Sequence, residues 1–167
     1  SYKFIERVTN KLFETFDFAP NYEMAIECNP AHLEFNHIEL LKKFGFNRIS
    51  LGIQDFRLDV LEGINRKPSK YPIEDIIKKI EDEEFTGTNI DLVYGLPYQT
   101  PESFSKTVDR AIKLNTDRIV TFSYAHVPSI LPRQKILEKI GFPSSNDKAL
   151  MYETAYEKLI KLSLIHI

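Results

Sequence analysis

The stretch NIDLVYGLPYQTPESF, Asn89 to Phe104, starts as a strand, turns at Gly95-Leu96-Pro97 and opens a helix at Thr100-Pro101. Proline suits the first helical turn, where its missing N–H would have had no partner anyway. In the strand, the two-residue period puts Ile90, Leu92 and Tyr94 on one side and Asp91, Val93 and Gly95 on the other. A parallel strand covered by helices on both faces reads as an almost unbroken apolar run. An acid between Ile90 and Leu92 therefore marks a face that no helix covers.

The segment RISLGIQ, Arg48 to Gln54, splits the same way, with Ile49, Leu51 and Ile53 opposite Ser50, Gly52 and Gln54. Outward from these two strands the chain alternates. An amphipathic helix is predicted from Lys3 to Asp17, then a short strand EMAIEC (Glu23 to Cys28). A helix capped by Asn36 and Glu39 carries Ile38, Leu41 and Phe44 on one face and ends at Gly45. After RISLGIQ comes an irregular segment, then a helix opened by Pro72 with Ile73, Ile76, Ile77 and Ile80 on one face. Behind Pro101 a helix turns Phe104, Val108 and Ala111 inward, the strand RIVTFSYA (Arg118 to Ala125) follows, and the rest is helical from about Asp147 to Leu162. Four βα units of this kind predict an α/β protein with a parallel sheet. One apolar and one small, polar face fit a sheet curled into part of a barrel, helices outside and a ligand cavity inside, with Asp91 pointing into the cavity.

Composition narrows the function. At 167 residues, 43% hydrophobic and 28% charged, the chain has material for one core. A net charge of -2 leaves no basic excess for phosphate backbones, so a nucleic-acid partner is not expected. Neither a membrane span nor a signal-peptide apolar core is read, which predicts a cytoplasmic protein without a membrane partner. Cys28 is the single cysteine, so there is no internal disulfide and no all-cysteine metal site.

Barrel enzymes place their chemistry at the C-terminal ends of the strands. Here those ends hold Glu27, Gln54, Tyr124, Ala125 and His126, with Asp91 slightly deeper. Four ordered segments carry a family signal: GFNRISLGIQDF (Gly45 to Phe56), INRK (Ile64 to Lys67), NIDLVYGLPYQTPESF and FSYAHVP (Phe122 to Pro128). Together they resemble the oxygen-independent coproporphyrinogen III oxidase family of radical S-adenosylmethionine enzymes, over roughly Glu23 to Leu162. The haem chaperone of the same superfamily is the alternative. That chaperone typically has Gln-Ser-Phe at Gln54-Asp55-Phe56 and lacks Tyr124-Ala125-His126, whereas Asn29-Pro30 is the more chaperone-like feature.

The resemblance implies a radical oxidative decarboxylation of coproporphyrinogen III to protoporphyrinogen IX in haem biosynthesis, with S-adenosylmethionine and a [4Fe–4S] cluster as cofactors and a porphyrinogen as substrate. Carried over residue by residue, it makes Glu27, Gln54, Arg66, Asp91 and Ala125 the S-adenosylmethionine positions. Carboxylates suit the ribose hydroxyls or the ammonium, an amide can donate and accept, and an arginine can clamp a carboxylate. The family's Cys-x3-Cys-x2-Cys loop is not in this sequence, and one cysteine cannot replace three thiolates. The 167 residues thus read as a fragment, strands three to six of a six-stranded partial barrel, without the cluster-binding first part or the C-terminal part and inactive alone. Such a fragment is expected to self-associate through the Glu23 to Cys28 edge or the Leu164 to Ile167 tail. His126 and Cys28 are read as structural.

Overall fold

The computed structural model describes residues 2–161. Helix α1 (Tyr2–Thr15) precedes strand β1 (Ala25–Cys28), a 3₁₀ turn (Pro30–His32), α2 (Phe35–Lys43) and β2 (Arg48–Gln54). Then come α3 (Leu58–Gly63), α4 (Ile73–Asp82), β3 (Gly87–Tyr94), α5 (Pro101–Lys113), β4 (Arg118–Ser123), a 3₁₀ segment (Pro132–Lys139) and α6 (Ser145–Ile160). All strand pairs are parallel and the sheet order is β1-β2-β3-β4. Sequential order and helical crossovers follow from each strand feeding a helix that returns across the same face.

That face is the core. Ile49, Leu51, Ile90 and Leu92 have no exposed surface and pack with Ile38 and Leu41 of α2, Ile76 and Ile80 of α4, Phe104 and Val108 of α5, and Met151 of α6. Each such side chain, fully removed from water, contributes about 1.5–3 kcal/mol. On the opposite face the register lines up Glu27, Ser50 and Asn89, and one pleat further Gly52 and Asp91. The division into apolar and polar faces read from the sequence is the division observed.

Helix starts follow their capping chemistry. At α5, the Ser103 N–H donates to Thr100 Oγ1 at 3.2 Å and the Thr100 N–H to Ser103 Oγ at 2.9 Å, with Pro101 in the first turn. The Asn36–Glu39 box predicted for α2 does not form. The helix starts at Phe35, and the Glu34 N–H donates instead to His37 Nδ1 at 3.1 Å. Glu34 is held there by Tyr71, whose hydroxyl donates to its carboxylate at 2.7 Å, while Glu39 turns outward to Lys79 at 2.6 Å.

Other boundaries also move. The strand expected from Glu23 starts at Ala25, because the Met24 N–H is taken by the Asn47 side chain at 2.8 Å. The last strand ends at Ser123, leaving Tyr124 and Ala125 beyond it. The segment after Gln54, read as irregular, contains α3, whose buried Val60 and Leu61 anchor a six-residue helix too short to show a period. Leu162 and the Leu164 to Ile167 tail lie outside the described residues.

Candidate functional site

The polar face is organised around Gly52. A Cβ there would sit 3.0 Å from Gln54 Nε2, 3.1 Å from Arg66 Nη2 and 3.4 Å from Glu27 Oε1. Side chains from β1, from the end of β2 and from the loop after α3 thus meet over a residue that has none. Beside them, Asp91 pairs in register with Gly52 and accepts a hydrogen bond from Ser50 Oγ at 2.8 Å.

Each arrives by a distinct local device. Glu27 simply follows the strand period of β1. Gln54 does not, because the ladder shifts after Gly52 and pairs Gln54 with Leu92, a core residue. Gln54 adopts φ of 69°, and this left-handed bulge returns its amide to the polar side. Arg66 is delivered by the end of α3. There the Arg66 N–H reaches the Leu61 carbonyl at 2.8 Å and the Asn65 N–H the Glu62 carbonyl at 2.9 Å, with Asn65 at φ of 55°. These are the two bonds of a Schellman cap, and asparagine tolerates its left-handed position. The Arg66 guanidinium then donates to the Gly52 carbonyl.

Burial lowers the pKa of Arg66, and the Glu27 carboxylate opposes that shift. Cys28, behind Glu27 on the core side, has its thiol pushed up to about 11 by burial and by that same carboxylate. A cleft of about 170 Å³ opens beside Gly52 and Arg66, with Asn29, Phe56 and Tyr71 in its wall.

Ala125 lies two residues past β4, is exposed, and its carbonyl accepts from Gln134 Nε2 at 3.1 Å. Among the described residues no hydrogen bond links it to the other four. His126 contacts Glu138 at 3.0 Å and sits against Phe142 with ring centroids 4.6 Å apart. Asn29 caps the first 3₁₀ turn by accepting from the Ala31 N–H at 3.1 Å. An aspartate would accept the same bond, so this position does not separate oxidase from chaperone.

Gly52 and Asp55 also line the cleft, and neither is singled out by the alternation pattern. For Gly52 another signal is present, since a lone glycine inside an apolar strand marks a bulge or a close approach. Asp55 is 1% exposed, and its partners Gln99 and Thr107 stand 44 and 52 residues away, out of reach of any local pattern.

The residues fit a small polar ligand bearing hydroxyl, ammonium and carboxylate groups. They do not fit an iron–sulfur cluster, since the chain has one cysteine and no group of three metal-ligating side chains occurs among the described residues. No helix among these residues is long and apolar enough to cross a membrane.

The sequence pattern of the Radical SAM superfamily matches residues 2–111. The chain is 40% identical over 144 residues to the oxygen-independent coproporphyrinogen III oxidase of Salmonella typhimurium, a match over 86% of this chain and 32% of that protein. It is 33% identical over 162 residues to the protein of that name from Synechocystis, covering 97% of this chain and 35% of the relative. The chain therefore spans about a third of the length of these curated relatives. Coproporphyrinogen III oxidase of Escherichia coli, described as a radical SAM enzyme, superposes with a TM-score of 0.90 at 37% identity, over 96% of this chain and 37% of that one. The four βα units accordingly form part of a TIM-type partial barrel.

Proposed function

The chain belongs to the radical SAM superfamily, and from that membership we propose that its polar sheet face binds S-adenosylmethionine within an oxygen-independent coproporphyrinogen III oxidase. The observation that carries the reading is the meeting of Glu27, Gln54 and Arg66 over Gly52, with Asp91 as the register partner of Gly52 on β3. Two acids, an amide and a guanidinium complement the ligand's ribose diol, ammonium and carboxylate. In this reading Arg66 clamps the carboxylate, Glu27 and Asp91 accept from ammonium or hydroxyl groups, and Gln54 both donates and accepts. Ala125 contributes backbone at the rim.

The work of these residues is binding, orientation and exclusion of water. The four βα units are proposed as strands three to six of the barrel, with the cluster ligands outside this stretch of sequence. No step through the cluster is assigned to these residues. The substrate class in this reading is a porphyrinogen whose propionate side chains lose carbon dioxide and become vinyl groups.

Two measurements test the reading. Titration calorimetry should detect S-adenosylmethionine binding to the chain, weakened roughly ten- to a hundredfold by Asp91→Asn, since hydrogen bonds to a charged group contribute on the order of 1.5–3 kcal/mol. Unchanged affinity in that variant would make Asp91 structural. For the reaction, this chain should replace the matching third of the Escherichia coli oxidase and keep anaerobic decarboxylation of coproporphyrinogen III. A chimera that binds haem and makes no product would favour the chaperone.

A further inference from the structure

Directly behind the site lies a buried polar network that the binding reading does not use. The Asp55 carboxylate accepts from the Arg57 N–H at 2.9 Å, from Thr107 Oγ1 at 3.0 Å and from Gln99 Nε2 at 2.6 Å. Gln99, 5% exposed, spends its remaining capacity on the end of β3 and the loop after it: Oε1 accepts from the Leu96 N–H at 2.9 Å and Nε2 donates to the Val93 carbonyl at 2.9 Å. Three donors thus converge on a carboxylate held out of water, the condition under which a buried charge is tolerated.

The position of this network matters more than its strength. Asp55 follows Gln54, the residue in the left-handed bulge, and precedes the excursion through α3 that ends at Arg66. The β3–α5 loop grips that excursion twice more. Arg57 Nη1 donates to the Tyr98 carbonyl at 3.2 Å, and the Tyr98 ring lies 3.1 Å from where a Cβ on Gly63 would be. Both Gln54 and Arg66 therefore hang from a segment whose start is pinned by Asp55 and whose helix is braced by Tyr98. A non-glycine residue at such a positive φ is strained and persists only when its surroundings fix it.

We propose that Asp55 and Gln99 are positioning residues: their bond holds Gln54 in its left-handed bulge and the Gln54–Arg66 excursion against Gly52, so that the polar face presents one fixed ligand geometry. That this geometry serves S-adenosylmethionine rests on the reading above; that Asp55 and Gln99 impose it does not. Replacing Asp55 by asparagine turns a donor toward the Gln99 Nε2 donor. Gln99 must then flip and release Leu96, or withdraw, and either change frees Gln54.

The test is carbon and nitrogen NMR of the labelled 167-residue chain, paired with S-adenosylmethionine titration. Asp55→Asn should move the Gln54 Cα and Cβ shifts, which report its backbone angle, and weaken S-adenosylmethionine binding about tenfold, the equivalent of one misplaced hydrogen bond. Asp55→Asn combined with Gln99→Glu restores the donor–acceptor pair between the two side chains but turns a carboxylate oxygen toward the Val93 carbonyl, so it should return the Gln54 shifts part of the way to the parent. A folded Asp55→Asn chain with parental Gln54 shifts overturns the proposal, whatever the ligand does. If the parent binds no S-adenosylmethionine but Gln54 still moves in Asp55→Asn and returns part of the way in the double variant, the positioning stands and the ligand reading falls. Should Asp55→Asn fail to fold, Thr107→Val removes one of the three donors without changing shape, and the same Gln54 shifts decide.

Discussion

Gly52 makes its contribution by lacking a side chain. With Cβ contacts of 3.0–3.4 Å to three functional groups, Gly52→Ala forces Gln54, Arg66 or Glu27 to give way by a few tenths of an ångström. The contacted atoms are the far ends of side chains, two half-buried and one exposed, which can shift cheaply, so thermal stability should change by about 1 kcal/mol or less, while S-adenosylmethionine binding drops by roughly tenfold or more. Equal binding by the two proteins would show that the convergence over Gly52 is incidental. Across the sheet from that cluster, Cys28 gives a second residue-level expectation. With its pKa raised from 9.0 to about 11, alkylation by iodoacetamide at pH 8 should run about a hundredfold below an unshifted thiol and keep rising beyond pH 10. A rate plateau near pH 9 would contradict the shift. The folded chain holds that proton more tightly than the unfolded one, so the stability it lends is complete below pH 9 and declines as pH rises toward about 11. At this scale the sequence showed which residue types matter and not how they are aimed. Asp91 was legible because alternation alone places it, whereas the route of Gln54 depends on a bulge that no period announces.

The elements divide along the same physical line. Strand β2 runs over the same Arg48–Gln54 span that its alternation predicts, α5 starts at Pro101, and α4 starts one residue after Pro72, which is its N-cap rather than part of its first turn, because strand period and helix-opening proline are local signals. Helix α2 starts elsewhere because Tyr71, a residue distant in sequence, claims Glu34. Helix α3 escaped notice because one and a half turns cannot display a period, although its end is the element-scale device that aims Arg66. Its Schellman cap makes a direct prediction. Asn65→Gly should leave stability and binding near the parent, since glycine takes the left-handed region freely. Asn65→Val should cost about 1–3 kcal/mol in urea unfolding and weaken S-adenosylmethionine binding in the folded protein, because a β-branched residue resists φ of 55°. Equivalent behaviour of the two variants would show that Arg66 reaches Gly52 without the cap.

Over the whole molecule, burial is lopsided. One sheet face is sealed by α2, α4, α5 and α6, while the other shows Phe122 at 52% exposure, and Phe4 of α1 and Phe16 just past its end are 65% and 61% exposed. Among the described residues β1 pairs only with β2, and β4 only with β3, so each outer strand keeps an unpaired row of backbone donors and acceptors. A net charge of -2 supplies little repulsion to keep copies apart. Open strand edges and exposed aromatics both favour pairing between chains. We therefore expect the chain to associate with itself as its concentration rises, through the β1 edge in the first instance, since Ala25 and Glu27 leave that edge accessible. Size-exclusion chromatography with light scattering should show a mass that climbs above 19.5 kDa with concentration. Ala25→Lys, which sets a charge on the edge one pleat before Glu27, should return the mass toward one chain. A constant single-chain mass at high concentration would mean that the sheet edges and the exposed Phe4 and Phe16 are not adhesive. A mass that climbs equally in Ala25→Lys would move the contact from the β1 edge to Phe4 and Phe16, and their replacement by serine would then be the variant that restores the monomer.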